Sequence, residues 1–154
     1  MNLRLRSVES RREAEDVLPS LVRAVYETIR ALREEAGEEE AERHARGWIA
    51  RAEGEPSALL LVGEDAQRPL AVAATAPFVD PLDGGVRPML VVLWVDPSIR
   101  HRGVARALVA ELRRILAARG FRVLTARAGT GDDALLSMGE RWGLVRSWEF
   151  LSSE

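Results

Sequence analysis

Apolar and charged positions alternate at the start of the chain. Leu3, Leu5 and Val8 stand among Arg4 and Arg6, which predicts a first strand. Ser10 followed three residues later by Glu13 has the form of a capping box. Ala14, Leu18, Leu21, Val25, Thr28 and Leu32 then recur at spacings of three and four, so they share one helical face. Pro19 either kinks that helix or begins a second one at its first turn. Residues 33–42 are rich in glutamate around Gly37 and read as a loop between helices. A further helix over residues 38–52 carries Glu39–Arg43 and Glu42–Arg46, both i,i+4 pairs of the favourable orientation.

The period then changes. Residues 57–62 and 70–76 read as two strands of a hairpin, with Gln67-Arg68-Pro69 as the turn. Residues 77–88 hold three prolines and two glycines and read as a loop. Residues 89–95 are seven apolar positions in a row, which predicts a strand buried on both faces. Asp96-Pro97 ends it. Residues 103–119 form the clearest helix, with Ala105, Leu108, Leu112, Ile115 and Leu116 as its apolar stripe and Gly120 as its stop. Residues 121–128 read as a strand. Asp132 or Asp133 can cap a last helix that ends near Trp142 and Gly143, and residues 144–151 read as a final strand. The order β-α-α-β-β-β-α-β-α-β predicts an α/β (α+β) fold, a mixed sheet with helices on both faces, in a single domain over residues 1–154.

Composition narrows the chemistry. The chain has 154 residues, 22 basic against 24 acidic, and a net charge of -2, which disfavours nucleic-acid binding by bulk electrostatics. All 22 basic residues are arginine, so no lysine is present to act as Schiff-base nucleophile, general base or P-loop lysine. Cysteine is absent, which excludes thiol catalysis and disulfides, and His44 and His101 are too few for a histidine-rich metal site, so no metal is expected. The N-terminus lacks a signal-peptide core, and the longest apolar run is far short of a membrane span. A cytoplasmic protein without membrane partners is the expectation.

The informative stretch is Leu93-Trp94-Val95-Asp96-Pro97-Ser98-Ile99-Arg100-His101-Arg102-Gly103-Val104-Ala105-Arg106. It joins the buried strand to the clearest helix through a basic turn. The first backbone N–H groups of such a helix are unpaired and its dipole adds positive charge. Gly103 lets a phosphate approach the backbone, and Arg100, Arg102 and Arg106 can add charge-assisted bonds. The stretch is neither a Walker A loop nor a dinucleotide fingerprint, since it has no Gly-Lys-Ser/Thr and no triple-glycine spacing.

Arg100-x-x-Gly103-x-Ala105 resembles the Q/R-x-x-G-x-G/A motif of the GNAT superfamily of N-acetyltransferases, and the preceding Leu-Trp-Val-Asp-Pro resembles that family's strand-4 signature. The element order matches over most of the chain. The resemblance implies a mostly antiparallel central sheet, splayed between strand 4 (residues 89–95) and strand 5 (residues 121–128). It implies acetyl-CoA as co-substrate. The pyrophosphate would lie on the loop Arg100, His101, Arg102, Gly103, Val104 and Ala105, with Arg106 nearby. Pantetheine would run along Leu93, Trp94 and Val95, and Asp132 is grouped with these cofactor-binding positions. An amine of a small molecule or peptide would enter from the first helices and the loop of residues 77–88, and would attack the thioester directly.

Two departures from the family pattern stand out. Leu90, Val91 and Val92 occupy the region of strand 4 where many relatives carry an acid, and Gly139 stands where many carry tyrosine. Substitute acid–base groups are Asp80 and Asp83 in the acceptor-side loop and His44 on the second helix, although each reads first as a turn, capping or solvent-facing residue. Tyr26, the sole tyrosine, can bond a substrate or fill a half-buried helical position. The glutamates of residues 33–42 form either a solvated face or a rim that attracts a cationic amine. A catalytically degenerate member that only binds acyl-CoA, or a protein-interaction module, is the alternative. Only eleven residues follow Gly143, enough for one strand in place of the usual two. Trp148 and Phe150 alternate with polar neighbours there, and an uncovered edge would favour a homodimer.

Overall fold

The computed structural model describes residues 2–127 and 133–145. Residues 146–151 of the predicted final strand, with Trp148 and Phe150, lie outside the described residues, as does Asp132, and the described Leu144 and Val145 are in no strand. Within them the chain forms β1 (Arg4–Val8), α1 (Arg11–Asp16), α2 (Leu18–Leu32), α3 (Glu38–Ala52), β2 (Leu60–Asp65), β3 (Arg68–Val79) and β4 (Val86–Val95). A single 3-10 turn (Pro97–Ile99) leads to α4 (Val104–Ala118), β5 (Thr125–Ala126) and α5 (Asp133–Arg141). The strands make one sheet in the order β1-β2-β3-β4-β5. Every pairing is antiparallel except β4 with β5, which is parallel.

Local chemistry sets the helix starts. The Ser10 hydroxyl accepts from the Glu13 N–H at 3.2 Å, and the Glu13 carboxylate reaches back to the Glu9 N–H at 3.3 Å. Pro19 lies in the first turn of α2, so it begins a second helix instead of kinking the first. Of the expected stripe, Leu21 and Val25 are buried with Ala24, whereas Leu32 is exposed at the helix end. Glu38, Glu39 and Glu40 occupy the first turn of α3, where they complement the positive end of the helix dipole. Glu42 bonds Arg46 at 2.9 Å; the Glu39–Arg43 pair is not formed among the described residues.

Two corrections concern turns. The β2–β3 turn lies at Ala66 and Gln67, whose φ values of 49° and 66° are both left-handed, and Arg68 and Pro69 already belong to β3. Such a two-residue loop matches the twist of its strands. Half of the expected loop of residues 77–88 is sheet: Pro77 pairs Pro88, Phe78 pairs Arg87, and Val79 pairs Val86. β2 ends opposite Ala74, and β5 pairs only Met89 and Leu90. Both prolines therefore sit where β3 and β4 have no third strand beside them, so a missing N–H breaks no second ladder.

The sheet carries apolar layers on both faces. On one, Val62, Val72, Ala74, Val92 and Trp94 share a core with α1, α2 and α3 through Ala14, Leu21, Ala24, Ala41, Ala45 and Ile49. On the other, Leu59, Leu61, Ala71 and Ala73 meet Leu108, Val109, Leu112 and Leu116 of α4. Each fully buried leucine contributes about 2–3 kcal/mol of transfer free energy. No described helix is long and apolar enough to cross a membrane.

Candidate functional site

The site begins with a slip in the sheet. Ala74 pairs Val92 but Thr75 pairs Leu90, so Val91 is an extra residue, a β-bulge in β4. Leu90 consequently packs toward α4, while Val92 and Trp94 pack toward α2 and α3. The unbroken apolar run hides this change of face. Pairing with β5 stops at the same point: Met89 and Leu90 face Thr125 and Ala126, and the described Arg127 continues no ladder. Among the described residues the β4–β5 ladder therefore ends at the bulge.

The β3–β4 hydrogen-bond pattern shows what this edge of β4 presents. The Asp96 N–H donates to the Leu70 carbonyl at 2.7 Å, which makes their positions a hydrogen-bonded pair. Alternation along an antiparallel ladder then turns the N–H and C=O of Leu93 and Val95 away from β3, toward the side of β4 on which β5 pairs Met89 and Leu90. The Val95 carbonyl accepts from Arg100 Nε at 2.9 Å, as this direction requires. Trp94 sends its side chain the opposite way, under α2. It is 4% exposed, its indole N–H has no partner among the described residues, and Arg23 lies over its ring at 5.3 Å from the centroid.

Asp96 ends β4 and caps the short turn. Its carboxylate accepts from the Ser98 N–H at 2.9 Å and the Ser98 hydroxyl at 2.6 Å. These two bonds hold the Asp96 carboxyl below its ordinary pKa. Ile99 is buried and pins the turn to the α4 side. His101 and Gly103 then adopt left-handed backbone, with φ of 63° and 76°. Gly103 is the N-cap of α4 and offers no side-chain cap, and its carbonyl takes the first intrahelical bond, from Ala107. The N–H groups of Val104, Ala105 and Arg106 thus open toward an anion. The Val104 side chain is buried, whereas Arg102 and Arg106 are exposed and form no ion pair among the described residues. Arg100 differs from them, because its guanidinium also bonds Glu27 of α2 at 3.0 Å.

The acid–base candidates do not converge on this edge. Asp80 is 3% exposed and anchors the β3–β4 turn. One of its oxygens accepts from the N–H groups of Leu82 at 2.8 Å and Asp83 at 3.4 Å, and the other lies 3.1 Å from Arg87. Asp83 bonds the Gly85 N–H at 2.7 Å and Arg87 at 3.3 Å. Both are turn residues with their oxygens engaged. Asp80→Ala is expected to lower stability by about 2 kcal/mol in urea unfolding, because Arg87 and the turn N–H groups lose their acceptor. His44 is exposed on α3, 3.4 Å from Glu40. The Tyr26 hydroxyl accepts from Arg30 at 3.2 Å and the ring packs half-buried against α3. Val91, Trp48 and Glu27 were not legible as site residues. The bulge lies in a uniform apolar run, and the other two act through partners 27 and 73 positions away in the chain.

A bulged strand whose described parallel ladder ends at the bulge, leading into an uncapped helix start, fits the acyltransferase class that the motif resembles. The chain belongs to the acetyltransferase (GNAT) family, whose model matches residues 22–143. Among curated proteins none matches. Solved structures share the fold. One is a possible acetyltransferase from Clostridium difficile 630, with TM-score 0.78, 11% identity, and 99% of this chain and 97% of that one covered. Another is an aminoglycoside N-acetyltransferase in complex with CoA, with TM-score 0.73, 13% identity, and 99% and 94% covered. A third is a ribosomal-protein-alanine N-acetyltransferase from Brucella melitensis biovar Abortus 2308, with TM-score 0.68, 14% identity, and 99% of each chain covered.

Proposed function

We propose that the protein is an acetyl-CoA-dependent N-acetyltransferase acting on a primary amine of a small molecule or peptide. The observation that carries this reading is the alignment of two open backbone surfaces. The freed edge of Leu93 leads directly to the uncapped N–H groups of Val104, Ala105 and Arg106. An extended amide-bearing arm can add to the first as a strand would. A pyrophosphate fits the second, with Arg102 and Arg106 as charged donors. Structural neighbours solved with CoA or acetyl-CoA support the same choice of co-substrate.

The chemistry needs no covalent enzyme intermediate. The amine nitrogen attacks the thioester carbonyl, the C–N bond forms, the C–S bond breaks, and the thiolate leaves. The proton lost by the amine is taken up through water, since Asp80 and Asp83 are engaged in their turn. The backbone around the Val91 bulge is the nearest source of N–H groups for the carbonyl oxygen. The acceptor reaches the carbonyl from the α2–α3 side. Structural neighbours that acetylate an aminoglycoside or a ribosomal-protein alanine are consistent with an amine acceptor.

Thiol release from acetyl-CoA over a panel of amines tests the reading. Amine-dependent release supports it. Binding of acetyl-CoA without release by any amine points to a degenerate acyl-CoA-binding member, a reading favoured by Leu90, Val91 and Val92 in place of an acid. No binding at millimolar concentration overturns both. The arginine-only composition adds a sharper expectation: with no lysine in the chain, acetyl label on the untagged protein is confined to its N-terminal amine. Peptide mass spectrometry after incubation with labelled acetyl-CoA checks this.

A further inference from the structure

We infer that Arg100, the first residue of the phosphate-loop motif, is a positioning residue held by Glu27 and not a ligand of the phosphate. The inference rests on the acetyl-CoA reading above and assigns roles within that site. One edge of the Arg100 guanidinium is already used. Nε donates to the Val95 carbonyl at 2.9 Å, and Nη2 donates to Glu27 Oε2 at 3.0 Å. The first bond fixes the guanidinium plane against the end of β4, and the second fixes it against α2. A planar fork held at two points has little freedom left to turn toward an anion.

Glu27 belongs to a clasp. Arg23, one turn earlier on α2, lies 4.0 Å from the other Glu27 oxygen and covers the ring of Trp94. α2 therefore holds the end of β4 from the side chain of Trp94 and from the carbonyl of Val95, through Arg100. Arg102, in the loop that follows, and Arg106, in the first turn of α4, are exposed and form no ion pair among the described residues. Charge is thus divided: Arg100 ties the loop to the acceptor-side helix, and the other two remain for phosphate. The Arg100 and Glu27 side chains are 43% and 38% exposed, so their ion pair by itself is worth only a small factor.

The two roles predict opposite signs for one substitution. If Glu27 merely occupied a phosphate ligand, Glu27→Gln would free Arg100 and tighten acetyl-CoA binding. If Glu27 holds Arg100 in place, the same change loosens the loop and weakens binding. Isothermal titration with acetyl-CoA is expected to show about threefold weaker binding for Glu27→Gln, the scale of a partly exposed ion pair. Arg100→Ala, which loses the Val95 bond as well, is expected to weaken binding about tenfold. Arg100→Lys is expected to be no better, because an ammonium cannot reach both partners. Glu27→Gln added to Arg100→Ala is expected to cost nothing further.

Equal or tighter binding by Glu27→Gln, or recovery of wild-type affinity by Arg100→Lys, overturns the inference. Glu27→Gln is isosteric and partly exposed, so it carries the test even if the Arg100 variants unfold. A wild-type protein that binds no acetyl-CoA overturns the co-substrate reading instead. In that case additive effects of the two substitutions on thermal unfolding overturn the clasp separately.

Discussion

Gly103→Glu is expected to weaken acetyl-CoA binding about a hundredfold while the protein stays folded. The two effects separate because of the surroundings of Gly103. A Cβ placed there meets no atom within 4 Å, so nothing in the fold is displaced. The cost to stability is the left-handed backbone, about 1–2 kcal/mol for a residue with a Cβ. A carboxylate at a helix N-terminus returns about 0.3–1 kcal/mol of that through the dipole. For the ligand the same carboxylate is a competing anion at the N–H groups that would receive the phosphate. Repulsion between charges about 4 Å apart is about 1 kcal/mol in water and about 4 kcal/mol at a protein surface, which brackets a hundredfold loss. Gly103→Ala carries the strain without the charge, and its affinity should fall by less than about fivefold, a loss small enough to be backbone strain alone. Titration calorimetry on both variants is the measurement. A glutamate variant that binds as well as the alanine variant would place the phosphate elsewhere.

Thr75→Val is expected to destabilise the protein by about 3 kcal/mol despite preserving shape. Thr75 is fully buried beside the bulge. Its hydroxyl donates to the Ser57 carbonyl at 2.8 Å and accepts from the Leu59 N–H at 2.9 Å. Valine leaves both backbone groups buried without partners, at about 1–3 kcal/mol each. That is a large share of the 5–15 kcal/mol typical of a whole domain. Thr75→Ser keeps both bonds and loses one methyl, so about 1 kcal/mol is expected. Urea unfolding with unchanged m-values distinguishes the two. Equal losses for valine and serine would show that packing, and not the hydroxyl, carries the effect. The residue matters to the site because the Thr75 carbonyl also accepts from the Trp48 indole at 3.0 Å, which ties α3 to the strand at the level of the bulge.

The elements with a strong local period were legible. α4 appears where its 3.6-residue stripe places it, and α3 over the residues expected from the i,i+4 pattern of glutamate and arginine. The strand-to-helix motif was legible because it is contiguous: β4, the capped turn and α4 follow each other without interruption. The hairpin ends were misread. Pro77 and Pro88 signal a loop in a sequence scan, but they pair with each other where β3 and β4 lack outer neighbours. Which strands stand beside a proline is a tertiary fact. Asp80 was offered as a base from its place in the chain, and only the fold shows Arg87 and two N–H groups closing around it.

The sequence by itself determined the class of chemistry. With no cysteine, no lysine and two histidines, it left few reactions open, and Arg100-x-x-Gly103-x-Ala105 after an apolar strand pointed to the family whose model matches residues 22–143. These are properties of residue identity and short spacing, which local structure reads directly. The tertiary structure decided the strand register and which of the motif's arginines is paired. Seven apolar residues in a row look alike until pairing with β3 makes Val91 the extra one and turns the backbone of Leu93 away from β3. Three arginines in seven positions look equivalent until α2, 73 residues earlier in the chain, brings Glu27 against the first of them. Strand register and ion-pair partners are set by the packing of distant segments, so no local pattern encodes them.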